Sequence, residues 1–212
     1  MKELVVFGAS RGLGLAIAKY YREQGHPVTA MVRDPDSATE LADAGVSVIK
    51  GDGLNPEDIE HVLRQASPDS WVISTMGSFR ASQPVDYIGH RHLINLLEEH
   101  KLQRFLMVTS LGCGDSWATL PERAKAAFGQ AVREKSLAES WLQTSLLEYT
   151  ILRPGGLQDG AVSQSGELSQ GKEVHGLISR SEVARLTLKL LADDTSIRQI
   201  YECVDPEFVY KR

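Results

Sequence analysis

The chain has 212 residues, 42% of them hydrophobic and 24% charged, with a formal net charge of −5. That length and balance suit one compact unit, residues 1–212, with a full core, and they exclude a disordered or fibrous chain. The mild acidity argues against a nucleic-acid partner, and no uncharged run approaches a membrane span.

The expected elements alternate from start to end. Residues 3–8 ("ELVVFG") are a buried-strand candidate, and residues 13–25 a helix with Leu15, Ala18 and Tyr21 at helical spacing, stopped by Gly25. A β-branched strand follows at 27–33, then a helix at 35–45 that opens on proline and ends on glycine. Residues 46–52 form the third strand. The helix at 55–66 has an Asn cap, Pro56 and acidic residues in its first turn, as the helix dipole favours. Strands at 69–76, 104–110, 148–155 and 199–204 alternate with helices at 84–100, 120–145 and 180–193, the last with Ser181 as its expected cap. Only residues 156–177, rich in Gly, Ser and Gln, break the pattern, and they read as a substrate-side loop or hairpin. Near-continuous apolar strands alternating with helices predict a doubly wound, mostly parallel Rossmann-like α/β sheet of about seven strands, helices on both faces.

"VVFGASRGLG" (Val5 to Gly14) joins the first strand to the first helix. Gly8 allows a tight turn, Gly12 a close backbone approach to a pyrophosphate, and Gly14 close packing of helix on sheet. With Ser10, Arg11 and Leu13, the loop offers a helix N-terminus to phosphate oxygens. The second strand ends at Arg33, where an arginine accommodates a 2′-phosphate and an acid selects the bare ribose. Arg33 and Arg11 together favour NADP(H) through bidentate, charge-assisted bonds. Asp34 is the contrary signal, and it keeps NAD(H) open. "STMGS" after the fourth strand places Thr75, Met76 and Gly77 at the carboxyl end of the sheet, where ligands gather.

The spacing G-x-x-x-G-x-G in "GASRGLG" resembles the turn of the short-chain dehydrogenase/reductase superfamily. "VTS", "EKSLAESWL" and "YTILRPGGL" extend the resemblance over nearly the whole chain, toward its atypical, NmrA-like members. Those include reductases of biliverdin-IXβ and of flavins. The resemblance implies a nicotinamide dinucleotide, with Asp52, Gly53 and Leu54 near the adenine and Pro154 and Gly155 on the nicotinamide side. It also implies Ser110 and Lys135 as the catalytic pair, Lys135 binding the cofactor ribose as well, with Glu139 four residues on. The family's tyrosine falls at position 131, which is Ala131; the alternative Lys125 is preceded at that spacing by Pro121. Relatives with a histidine after the sixth strand are matched here by Gly155 or Gly156.

Without a positioned tyrosine, a ketone or alcohol is a poor substrate, because the developing alkoxide needs an acid. A conjugated acceptor such as a flavin or bilin needs only stacking and exclusion of water. The expected function is therefore NADPH-dependent reduction of such an acceptor. The alternatives are a non-catalytic NADP-sensing regulator and, last, a sugar-nucleotide epimerase. Trp117 and His175 are the candidate acceptor contacts, His175 as a proton source on the irregular segment. His90, His92 and His100 read as surface or packing residues with no metal role, and Tyr87, Trp71 and Trp141 as core. Cys113 and Cys203, in no close-spaced motif, read as reduced thiols. The short apolar run at the N-terminus does not have the form of a signal peptide. The whole reads as a cytoplasmic monomer or homodimer with a small-molecule substrate.

Overall fold

The structure is a computed structural model, and it describes residues 1–78 and 81–208. The first half runs β1 (Leu4–Phe7), α1 (Gly12–Glu23), β2 (Val28–Val32), α2 (Thr39–Asp43), β3 (Ser47–Lys50), α3 (Pro56–Leu63), β4 (Trp71–Ser74) and α4 (Val85–Glu99). The second half runs β5 (Arg104–Val108), α5 (Glu122–Gln143), β6 (Glu148–Pro154), β7 (Gly156–Gln158), β8 (Glu167–Ser169), β9 (Leu177–Ser179), α6 (Arg180–Leu191) and β10 (Gln199–Val204). Eight strands form one sheet in the order β3-β2-β1-β4-β5-β6-β10-β8. All its pairings are parallel except β8, which joins β10 antiparallel at the edge.

The period-two alternation of β1 divides the core. Val5 and Phe7 face a cluster with Ile59 of α3 and Leu93 and Leu97 of α4. Leu4 and Val6 face the other, with Ile17 and Tyr21 of α1 and Leu186 and Leu190 of α6. Both faces of the sheet are thus covered, and all four residues of β1 are buried. Strand order reverses at β1: β2 and β3 lie to one side, β4 and β5 to the other. That switch point opens a crevice at the carboxyl ends of β1 and β4.

Several expectations need correction. The sheet has eight strands rather than seven, and β7 and β9 form a separate two-stranded parallel ribbon. The additions lie in or border the segment read as irregular, where three-residue strands are too short to give a periodic signal. The helix at 35–45 is divided into a 3-10 turn over Pro35–Ser37 and the short α2. Ser37 donates its hydroxyl to the Asp34 carbonyl, a local bond that competes with helix. Ser181 does not cap α6. Ser179 does, accepting the Glu182 N–H at 3.0 Å, the Ser-x-x-Glu spacing of a capping box. Trp141 is not core either: it is 39% exposed, its indole N–H bonded to Asn95 and its ring beneath Arg91. Trp71 is buried as expected.

Among the described residues, no helix is long and apolar enough to cross a membrane. No group of His, Cys, Asp and Glu there could hold a metal ion. Cys113 and Cys203 are free and buried, and burial raises both thiols, Cys113 to about 12.

Candidate active site

The crevice at the switch point is a cleft of about 530 Å³. One wall is the glycine loop from Gly8 to Gly14, contributing Ser10, Arg11 and Leu13. The far end is built by Arg33 after β2 and by Asp52, Gly53 and Leu54 after β3. Thr75, Met76 and Gly77 run along the floor after β4, and Thr109 and Lys135 close the inner end. Asp34, the contrary signal, is not among the lining residues.

The loop fits a bound pyrophosphate. Gly8 and Gly12 are left-handed, with φ of +89° and +58°. A Cβ on Gly14 would lie 2.2 Å from the Gly8 carbonyl oxygen, so only glycine lets α1 approach the turn. A Cβ on Gly12 would meet nothing nearer than the Arg180 side chain at 3.7 Å, which leaves space on the ligand side. The N-terminus of α1 has neither a side-chain cap nor an acidic residue in its first turn. Its positive dipole end and unpaired N–H groups are therefore left for an anion.

Asp52 holds the β3–α3 turn. Its backbone N–H donates to Asp58 at 2.8 Å, and its carboxylate accepts the Leu54 N–H at 3.0 Å. Thr75 donates its hydroxyl to the Gly8 carbonyl at 3.1 Å, tying the β4 loop to the glycine loop. Lys135 reaches from α5 into the cleft and is 8% exposed. Its ammonium donates to the Met76 carbonyl at 2.9 Å and pairs with Asp86 Oδ1 at 3.0 Å. An ammonium has three donors, and the Met76 carbonyl takes one of them. Asp86, fully buried, also accepts the Ser78 N–H at 2.8 Å and the Ser78 hydroxyl at 3.1 Å. Beneath it His90 bridges the Ser74 hydroxyl at 2.9 Å and the Asp86 carbonyl at 2.7 Å. Burial lowers His90 to about 4, so it is a neutral packing residue. Tyr87 packs against the adjoining core.

The remaining expected residues lie elsewhere. Ser110 does not wall the cleft; its hydroxyl donates to the Leu111 carbonyl at 3.0 Å. Pro154 and Gly155 close β6 outside the lining, and a Cβ on Gly155 would strike the Gly176 carbonyl at 2.5 Å, so that glycine serves the β7–β9 ribbon. Trp117 packs beneath Lys125 and Arg133 and lines neither the cleft nor the second cavity. Its indole is the flat partner of two cations rather than a free pocket wall. His175 is exposed, 2.9 Å from Glu173, and lines a second cavity of about 180 Å³ beside Leu111 and Gly112. Glu139, four residues beyond Lys135, is 1% exposed and takes two bonds from Arg153, at 2.6 and 3.1 Å. Sequence reasoning missed Arg180 and Asp86. Arg180 opens α6, borders Gly12 and pairs with the exposed Asp159 at 2.7 Å. With the cap expected at Ser181 rather than Ser179, the sequence offered no sign that Arg180 opens the helix toward the cleft.

The chain resembles known proteins along its length. It is 44% identical to ChuY from Escherichia coli O157:H7, an anaerobillin reductase, with a TM-score of 0.90, covering 99% of this chain and 100% of that one. A short-chain dehydrogenase/reductase from Veillonella parvula in complex with NADP shares the fold, at 21% identity and a TM-score of 0.75 over 99% of this chain and 97% of that one. An uncharacterized sugar epimerase, YhfK of Bacillus subtilis, is 24% identical over 96% of this chain and 94% of its own. The signature of NAD(P)H-binding proteins matches residues 8–194, which include every residue that lines the cleft. The chain belongs to the NAD(P)H-binding family.

Proposed function

We propose that this protein is an NADPH-dependent reductase that delivers a hydride to a conjugated acceptor, an open-chain tetrapyrrole first and a flavin second. The observation that carries this reading is the end-to-end match, at 44% identity, to ChuY, an anaerobillin reductase. Arg11 and Arg33 wall the cleft end where a 2′-phosphate would lie, and they favour NADPH over NADH. The first turn of α1, with Arg180 beside it, would hold the pyrophosphate. Lys135, its position fixed by the Asp86 ion pair and the Met76 carbonyl, would bind and orient the ribose of the nicotinamide end. When bound, the reduced nicotinamide supplies the hydride. The protein's share is to align the acceptor and exclude water.

Ala131 in the place of the family's tyrosine also supports a second reading, a non-catalytic NADP-binding regulator. An acceptor panel separates the two. NADPH consumption is measured with biliverdin, FMN and riboflavin, and with no acceptor. A reductase consumes NADPH only when an acceptor is present; tight NADPH binding with no turnover of any acceptor would favour the regulator.

A further inference from the structure

The second cavity and the cofactor cleft are lined by neighbouring stretches of two loops, with no residue in common. Thr109 walls the cleft and Leu111 the cavity, with Ser110 between them. Two residues of chain span at most about 7 Å. On the other side Leu157 walls the cleft, while Gly171 to His175 wall the cavity. The two segments are stitched by the Gly156 N–H donating to the Gly176 carbonyl at 2.9 Å. The two cavities therefore lie side by side along the same two loops.

Glu202 of β10 also lines the cavity, and it is 5% exposed. It is in register with Arg153 of β6, whose single guanidinium meets three carboxylates. Glu139 of α5 takes the paired bonds described above. Asp115, from the turn before α5, lies at 2.6 Å with its side chain 81% exposed, and it ionises in water. Glu202 is left with a 3.3 Å contact to Oε1, and its Oε2 has no hydrogen-bond partner among the described residues. A buried carboxylate with an empty oxygen is costly, and the neutral carboxylic acid is less so. Burial accordingly pushes the Glu202 carboxyl above the usual range. The other charged groups on the cavity wall are Asp115, Lys172, Glu173 and His175, and β8 sets Ser169, which does not titrate, opposite Glu202.

We propose that Glu202 is a catalytic acid: it protonates the conjugated acceptor from the wall of the second cavity, the task for which this chain has no tyrosine. The proposal rests on the reductase reading above. One carbon of the acceptor gains a C–H bond from the hydride of the reduced nicotinamide, and a π bond of the acceptor breaks. The displaced electron pair, at the other end of the conjugated system, takes the proton as the Glu202 O–H bond breaks. The nicotinamide is oxidised, the acceptor is reduced by two electrons, and the Glu202 carboxylate regains its proton from water.

Glu202→Gln tests this against the wild type with biliverdin and NADPH across pH. In the wild type kcat is flat at low pH and falls as Glu202 deprotonates. The variant loses about 100-fold in kcat and loses that limb, while its NADPH Kd, read by cofactor fluorescence, stays within about twofold because Glu202 lies outside the cleft. Infrared spectra of the cofactor-free protein supply an independent reading: a protonated-carboxyl C=O band at neutral pH, absent from the variant. An unchanged kcat and pH profile in the variant, or no such band in the wild type, would overturn the assignment. Should Glu202→Gln not fold, Glu202→Asp is read instead, with the pH limb kept and kcat lowered. Wild-type protein that shows the band but reduces no acceptor contradicts the reductase reading rather than the protonation state of Glu202.

Discussion

At the residue scale, charge geometry sets the cofactor preference. Arg33 and Arg180 border the same cleft at different places, Arg33 after β2 and Arg180 beside Gly12. A 2′-phosphate is present only on NADPH, whereas a pyrophosphate is common to both dinucleotides. Arg33→Ala therefore raises KM for NADPH about tenfold, the scale of one exposed charge-assisted contact, and leaves NADH unchanged. Arg180→Ala raises KM for both by a similar factor, since its present partner Asp159 is exposed and loses nothing. Steady-state KM values for the two cofactors check this, and equal effects of Arg33→Ala on both would contradict it. The residues that sequence could identify are those whose function depends on chain-local chemistry. Gly8, Gly12 and Gly14 follow a strand and open a helix, so their purpose shows in their spacing. Asp86 did not show, because its meaning is the Lys135 ammonium, 49 positions away and brought to it only by the packing of α4 on α5.

At the element scale, α6 shows how a short loop and a helix are fixed together. Ser179 accepts the Glu182 N–H and donates its hydroxyl to the Ala161 carbonyl at 2.8 Å, so one side chain caps the helix and ties down the segment after β7. Ser179→Ala costs about 1–2 kcal/mol in denaturant unfolding. Ser181→Ala, two positions later and already inside the helix, stays within about 0.5 kcal/mol. The reverse ranking would contradict the capping geometry. The long elements were legible because their patterns are: β1 and β4 are unbroken apolar runs, and α3 opens on Asn55, which accepts the Glu57 N–H at 3.1 Å. Strands β7, β8 and β9 were not, because their pairing partners lie outside their own three residues. Gly156 pairs with Leu177 and Leu168 with Cys203, and no local periodicity encodes either contact.

At the scale of the whole molecule, the parallel sheet gathers its loops on one side, and the switch between β1 and β4 turns them into a cleft. The segment after β6 then lines a second cavity beside that cleft, through the loop before β9. Its sequence carries no motif, and its place depends on β8 and β10 closing the far edge of the sheet. The cofactor half of the site could thus be read from the glycine loop and Arg33, while of the second cavity only the segment carrying His175 was legible. Ser110 and Trp117 stood in sequence where the acceptor half was expected, and in the folded chain their side chains serve the Leu111 carbonyl and the Lys125–Arg133 pair. The central claim is that a hydride passes from the cofactor to a conjugated acceptor. The most direct measurement is isotope transfer: each C4-deuterated epimer of NADPH is supplied with biliverdin, and the reduced tetrapyrrole is weighed by mass spectrometry. The account predicts one deuterium in the product from one epimer and none from the other. NADPH bound tightly, with no deuterium reaching the acceptor from either epimer, would contradict it.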